Sequence, residues 1–560
     1  MIYRIYFCFL IFHFFYKNLS AGSLKHDLEI IVDQEINSVH PFFAKLNTDR
    51  YILGFLSRPL VQTDKFGNFY SSILTNFPNE TQRNALLSTK NITIELRPEA
   101  KWSDGSPISF SDFLFTQKLA KKYLNSENNV YTKIEKLEVD QLNPRKMKFV
   151  FKSKSHGHWY ELMDFFLLPE TKEDHSAKKM PIYDKEKYQE RNAFSASSSL
   201  PGPSNGPFKI VDFRRGKYIH LKKNIFFAKS KLQTYGNIED IKILLMPHWG
   251  DIQNYIQSNK NVIIPEISLR ESHIELLNEA ILSKNLPYRV ISYPSRVFEF
   301  VEFQHKNRLL KNRSLRQAIH YALDKKELAR LTWKNEKLVA QHFVPPSDPA
   351  LFKGEDSSDK YSGYDKETAK SLLEGLGWKL RKKNGLRYDV TGRRLSLSLV
   401  TNRNHLERRK IAHWIKNQLF KVGIEVKVSL VSGKEFFKNM INKYAFEAMA
   451  LYAQNIEYPI HSGVFKEKFQ TDFFRIFPGS SREAFLQSNF SPMLQKYNQG
   501  IFPKNRNELL EKFLDQYQFE SLQVPLFFRP NYIVIPSELK GMETKSAKFP
   551  NSFLAEYWLR

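Results

Sequence analysis

Residues 92–116 read ITIELRPEAKWSDGSPISFSDFLFT. Ile92, Ile94 and Leu96 alternate with Thr93, Glu95 and Arg97, the period-two pattern of a half-buried strand. Pro98 lacks the N–H that a further ladder position needs, so the strand ends there. Ser103-Asp104-Gly105 is turn chemistry: short polar side chains bond nearby backbone, and glycine tolerates positive φ. Ser109, with Asp112 three residues on, has the form of a capping box opening a helix through Phe110, Phe113 and Leu114. The stretch thus predicts strand, turn and capped helix in that order.

A chain of 560 residues holds roughly two to four domain-sized units with sizeable cores. Its 42% apolar content is that of a globular protein, not a collagenous, disordered or repetitive one. The first 22 residues differ from the rest. Arg4 is a short positive start, Ile5–Tyr16 is almost wholly apolar, and Leu19-Ser20-Ala21-Gly22 is small and polar. As a helix the apolar run would rise about 18 Å, short of a hydrocarbon core of roughly 30 Å. A cleavable secretory signal is expected, with an uncleaved N-terminal anchor as the other reading. No other segment is long and apolar enough to span a membrane. The only cysteine, Cys8, lies inside the signal, so the mature chain is expected to have no disulfide, thiolate nucleophile or cysteine-based metal site. Cys8 follows Phe7 rather than small residues at the end of the apolar run, so the chain does not read as a lipoprotein.

The net charge of +26 raises the question of nucleic acid. The basic residues, however, are spread over the whole chain with acids among them. The densest stretch, Lys379 to Arg394, also carries the turn signals Asn384-Gly385 and Thr391-Gly392. It reads as a hairpin whose charged edges are solvated and resist edge-to-edge pairing. No nucleic-acid partner is expected; the excess charge biases the protein toward anionic surfaces or acidic ligands.

Lysine-rich Ser176–Lys187 and serine-rich Ser195–Ser199 lead into the loop Leu200–Pro207, a boundary signal. Phe208–Phe213 and Tyr218–Leu221 follow as short strands around Arg215-Gly216. In 313–330, Leu315, Ala318, Ile319, Ala322 and Leu323 form one apolar helix face, and Asp324 interrupts it as a cap for a following turn. Residues 364–378 read as a short helix closed by Gly377. Strand Leu395–Val400, helix Glu407–Lys421 and strand Ile424–Leu430 form a β-α-β crossover, which normally makes a parallel pair. Val524–Ile535 reads as a strand that crosses between domains.

Six blocks in this order resemble extracytoplasmic solute-binding proteins of the peptide/nickel type, solute-binding family 5. They are the opening segment; Asn205-Gly206-Pro207-Phe208-Lys209-Ile210 with Gly216 and Leu221–Asn224; Leu315-Arg316-Gln317-Ala318-Ile319-His320-Tyr321-Ala322-Leu323-Asp324; Tyr364-Asp365 through Gly377-Trp378; the unit at 395–428; and Pro525-Leu526 to Val534. The resemblance implies an α/β chain with a two-lobed periplasmic-binding-protein fold of the large peptide-binding type, an extra inserted domain and a hinged central cleft. The expected division is 1–22 signal peptide, 23–62 first part of lobe 1, 63–195 inserted domain, 196–290 second part of lobe 1, 291–525 lobe 2, and 526–560 return to lobe 1. It further implies a monomeric periplasmic receptor that captures a peptide or peptide-like solute and delivers it to an inner-membrane ABC permease, with no catalysis and no cofactor. The alternatives are a sensory protein of the same fold and a binder of nickel or another small solute.

Relatives that bind peptides carry an aspartate for the ligand's α-ammonium in a motif that Tyr452-Ala453-Gln454-Asn455-Ile456-Glu457-Tyr458-Pro459 resembles, but Asn455 holds that position here. A neutral amide cannot offset the cost of burying an ammonium. In an extended segment Asn455 and Glu457 share a side, so Glu457 is a substitute charge, against an ordinary surface or packing carboxylate. Tyr452 is a ligand-stacking or a core aromatic. His40-Pro41 replaces the early Asp-Pro of many relatives. Gly202-Pro203-Ser204-Asn205-Gly206 spells G-x-S-x-G, but a loop precedes it and a strand follows, unlike a nucleophile elbow. His156 and His158 lack a third ligand nearby, so no metal site is expected.

Overall fold

The computed structural model describes residues 27–44, 46–63, 69–75, 89–124, 129–155, 161–170, 202–227, 236–344, 363–456 and 506–542, with Ala555 and Trp558. The N-terminal segment expected to be a signal, with Cys8, the polar stretches before Leu200, His156, His158 and Glu457 lie outside the described residues.

In chain order the main elements begin with β1 (Asp27–Val32), α1 (Asn47–Leu56), β2 (Thr89–Glu95), α2 (Phe110–Tyr123), β3 (Ile134–Val139) and β4 (Lys146–Ser155). There follow β5 (Phe208–Arg214), β6 (Tyr218–Lys223), β7 (Asp240–Leu245), α3 (Trp249–Ser258), β8 (Val262–Ile263), α4 (Glu271–Ser283) and β9 (Tyr288–Phe303). The remainder is α5 (Arg313–Tyr321), α6 (Lys325–Trp333), α7 (Lys366–Gly375), β10 (Lys379–Arg381), β11 (Leu386–Tyr388), β12 (Ser396–Asn402), α8 (Leu406–Phe420), β13 (Glu425–Val431), β14 (Met449–Asn455), α9 (Arg506–Glu520) and β15 (Gln523–Pro536).

The first five-stranded sheet has the order β8-β1-β7-β6-β5, with β8, β1 and β7 mutually parallel. Leu28, Ile30 and Val32 of β1 pack with Tyr51, Ile52 and Phe55 of α1, while Ile31 packs on the opposite face with α3 and α4. Both faces are covered, which is why Ile30, Ile31 and Val32 are all buried although they point to alternate sides. The second sheet has the order β13-β12-β14-β9-β15. There β12 and β13 are the parallel pair that the β-α-β pattern predicts, with Ile411, Ile415 and Leu419 of α8 packed on Leu397, Leu399 and Val426. A third, antiparallel sheet, β2-β4-β3, has its own core of Ile92, Ile94, Phe113 and Phe149.

The blocks that carry the resemblance are structural knots. The Ser109 N–H donates to the Asp112 carboxylate at 2.8 Å, the predicted capping contact. The same carboxylate takes the Trp102 indole N–H and the Glu170 N–H, and burial raises its pKa. Ser103 and Ser204 exchange two hydrogen bonds, fastening the first block to the second. A Cβ on Gly206 would lie 2.5 Å from the Leu56 carbonyl carbon, so only glycine lets the loop meet the end of α1. The Ser204 hydroxyl donates to the Phe208 carbonyl inside this loop, and β5 follows rather than a helix. The buried Arg316 guanidinium donates to the carbonyls of Leu310, Lys311, Glu520 and Ser521, tying α5 to the chain just before β15. Asp324 caps α6 by accepting the Glu327 N–H at 2.9 Å.

One expectation needs amendment. β10 and β11 do form the basic hairpin, but Arg387 is not part of a solvated edge. It is 1% exposed, and its guanidinium donates to the carbonyls of Val422 and Trp378 and to Glu374. Carbonyls left open beyond the ends of α7 and α8 attract the cation inward.

β9 and β15 run side by side through both large sheets' territory. Tyr288–Pro294 pairs with Pro530–Pro536, and Phe298–Glu302 pairs with Gln523–Phe528. Val524, Leu526 and Phe527 belong to the core of the second sheet; Ile533 and Ile535 belong to that of the first. Val534 also exchanges two hydrogen bonds with Ile264 beyond β8. The crossing strand read from 524–535 is therefore present. Between the two paired stretches the register shifts, and Pro294 faces Pro530, neither of which can donate. The ladder joining the two halves is weakest at that point.

Candidate functional site

The strand directions locate the site. β14 is antiparallel to β9, with Asn455 opposite Val297 and Met449 opposite Phe303. Its carboxyl end therefore lies at the interrupted ladder, and those of its parallel companions β12 and β13 lie on the same side. In the first half β15 runs away from the interruption and is antiparallel to the chain at Ile264. β8, β1 and β7 thus run toward it. The carboxyl ends of two parallel strand sets face one another across a pair of crossing strands. In open α/β sheets the crevice outside the carboxyl ends is where ligands bind, and a cleft between two units is a usual pocket.

From the first half, Asp33 follows β1 and its N–H donates to the Ser268 hydroxyl at 3.2 Å. Trp249 and His273, in the first turns of α3 and α4, stack with ring centroids 3.7 Å apart. Glu271 opens α4. From the second half come Asn402, the first turn of α8 and Asn455. Arg529 sits in β15 at the register shift itself.

The charges there form one network. Glu299 of β9 is 0% exposed. Its Oε1 accepts from Arg408 Nε at 2.5 Å, and its Oε2 accepts from Arg529 Nε at 2.9 Å and lies 2.8 Å from Arg529 Nη2. Burial pushes the Glu299 carboxyl up, but the two guanidiniums outweigh burial and hold it below the ordinary range. Arg529 Nη2 also donates to His405 Nε2 at 2.9 Å, and His405 Nδ1 lies 3.1 Å from Glu407. Burial, Arg529 and Arg408 lower the His405 pKa. Glu271 reaches this group from the other half. It is exposed by area, yet its carboxyl is pushed up to about 7, first by desolvation and then by Glu407, with Arg529 and Lys410 opposing.

Of the residues singled out from sequence, Asn455 lies exposed at the end of β14 beside Val297. Tyr452 is 2% exposed: its hydroxyl donates to Glu302 at 2.9 Å and its ring packs on Phe300 and Phe436, so of its two sequence readings it occupies the core position. Glu457 lies outside the described residues. The buried Glu299–Arg408–Arg529 network escaped sequence reasoning. Its one signal was Glu299 and Glu302 inside the apolar run Val297–Phe303, where an acid needs a partner brought from elsewhere. Among the described residues no group of three or more His, Cys, Asp or Glu could hold a metal ion, and no helix is long and apolar enough to cross a membrane.

Residues 88–468 match the family model described as bacterial extracellular solute-binding proteins, family 5 middle. A relative, the oligopeptide-binding protein AppA of Bacillus subtilis (strain 168), is 24% identical over 369 residues, which are 64% of this chain and 62% of the relative. The matched part therefore spans less than two thirds of that relative's own length. Among solved structures, a nickel ABC transporter from Bacillus halodurans superposes with a TM-score of 0.69 at 16% identity, covering 93% of this chain and 98% of the other. AppA from Bacillus subtilis in complex with a nonapeptide superposes with a TM-score of 0.53 at 19% identity, covering 95% and 98%. At these identities the superpositions establish the fold.

Proposed function

Because the chain belongs to the bacterial extracellular solute-binding proteins of family 5, we propose that it is a receptor that closes on a peptide or peptide-like solute and delivers it to an inner-membrane ABC permease. The supporting observation is the pair of parallel strand sets whose carboxyl ends face one another across β9 and β15. A ligand that touches both halves stabilises the closed arrangement by its differential affinity for that state, and the interrupted ladder is where the chain bends most cheaply. An extended peptide can be held through its main chain, which gives affinity without strong side-chain selection. The reading includes a cleaved signal, a periplasmic monomer without lipid, and the division of lobes at 291 and 525–526, which the passage of β9 and β15 between the two cores supports. The test is native mass spectrometry of protein purified from its own compartment. A small ligand bound one to one is expected. If no peptide pool shifts the mass or the melting temperature, the receptor reading fails.

A further inference from the structure

Arg529 and Arg408 are two guanidiniums that share one carboxylate, Glu299. Arg408 is almost wholly buried, but the Arg529 side chain keeps 24% of its surface. Its Nε and Nη2 are held by Glu299 and His405. Its Nη1 makes no hydrogen bond among the described residues. Glu407 lies 3.1 Å from His405 Nδ1, which makes no hydrogen bond, and Glu271 approaches from the facing half without bonding Arg529 among the described residues. The result is a guanidinium fixed in orientation by a buried acid, with Nη1 open among the described residues, at the point where the halves meet. Two guanidiniums bond one carboxylate, so the partly exposed one keeps a donor for a further acceptor. The remaining Nη1 can donate a charge-assisted hydrogen bond to one oxygen of a carboxylate.

We propose that Arg529 is a specificity-determining residue of the cleft and takes a carboxylate of the bound solute, with Glu299 setting the plane of its guanidinium. This rests on the receptor reading above. The carboxylate comes from a peptide C-terminus or from an acidic side chain, and the test separates the two.

The experiment uses the full chain and three synthetic pentapeptide pools, measured by isothermal titration. The first has free C-termini and no Asp or Glu; the second is the same pool amidated; the third is amidated and carries one Glu. The proposal expects the first or the third to bind at least about tenfold more tightly than the second. Arg529→Gln should collapse that ratio toward one, and Arg529→Lys should keep part of it because the charge remains while the fork is lost. The comparison of pools on the unmodified protein needs no variant, so it decides even if Arg529→Gln folds poorly. Equal binding of all three pools, or an undiminished ratio in a folded Arg529→Gln protein, overturns the inference and leaves the receptor reading standing. If no pool binds at all, both fall.

Discussion

Glu299→Gln removes the only acid of the network that the two arginines share. The carboxylate makes close contacts to Arg408 Nε at 2.5 Å and to Arg529 at 2.9 and 2.8 Å. A glutamine keeps the shape but offers one acceptor, and its NH2 would face a guanidinium N–H, donor against donor. Two cations then stand without a bonded carboxylate, one of them almost wholly buried. Breaking a buried pair costs about 3–5 kcal/mol. Arg529 is partly solvated, so the lower end, about 3 kcal/mol, is expected at neutral pH. At about 2 °C per kcal/mol for a unit of roughly 250 residues, calorimetry should show the transition lowered by about 6 °C. The sign with pH follows from the direction of the shift. The folded-state pKa of Glu299 is depressed, so its contribution is present above the unfolded value of about 4.3 and is lost as pH falls through the folded value. The gap between wild type and Glu299→Gln should therefore be constant from about pH 6 to 9 and close in acid. Replacing all three, Glu299→Leu with Arg408→Met and Arg529→Met, should recover most of the loss, since an apolar set carries no desolvation cost. A loss under about 1 kcal/mol, or a gap that does not close in acid, would refute the account of Glu299 as a counter-ion.

Lys325 is 1% exposed, with contacts of 3.3 Å to His320 Nε2 and to the Ala340 carbonyl, and burial lowers its pKa to about 7. The folded state is therefore penalised as pH falls from the unfolded value of about 10.4 to 7; Lys325→Met should stabilise by about 2–4 kcal/mol at pH 7, with the gain shrinking toward pH 10 in urea denaturation. Gly206→Ala would put a methyl 2.5–2.6 Å from the backbone of Phe55 and Leu56, and a loss of about 2–3 kcal/mol in melting experiments is expected; a neutral result would mean that α1 and the 202–207 loop separate freely. Asp324→Ala leaves the Glu327 N–H without its acceptor and should cost about 1 kcal/mol, with Asp324→Asn recovering most of it.

Local order was legible wherever one residue type enforces one geometry. Asp112 three residues after Ser109, Asp324 before α6 and the alternation of Ile92, Ile94 and Leu96 each specify a contact within a few positions, and each is present. The β-α-β unit was equally readable, because a 15-residue helix between two short strands leaves a parallel pair as the ordinary outcome. Arg387 shows where such reading stops. It sits between Leu386 and Tyr388 in a stretch dense in exposed basic residues, and only the arrival of the Val422 and Trp378 carbonyls makes an interior place for its guanidinium.

The sequence by itself determined the elements, including the strand at 523–536, because periodicity, caps and glycine positions act over short range; the α/β architecture followed from the resemblance of its six blocks to the family. The site was decided by tertiary structure alone. Glu299, Arg408 and Arg529 are 109 and 230 positions apart along the chain in the two pairings, and no local pattern encodes a carboxylate that two distant guanidiniums divide between them. Which charges are matched and which nitrogen of Arg529 keeps a free N–H among the described residues depends on how β9, α8 and β15 pack, and the electrostatics of a cleft are a property of that packing.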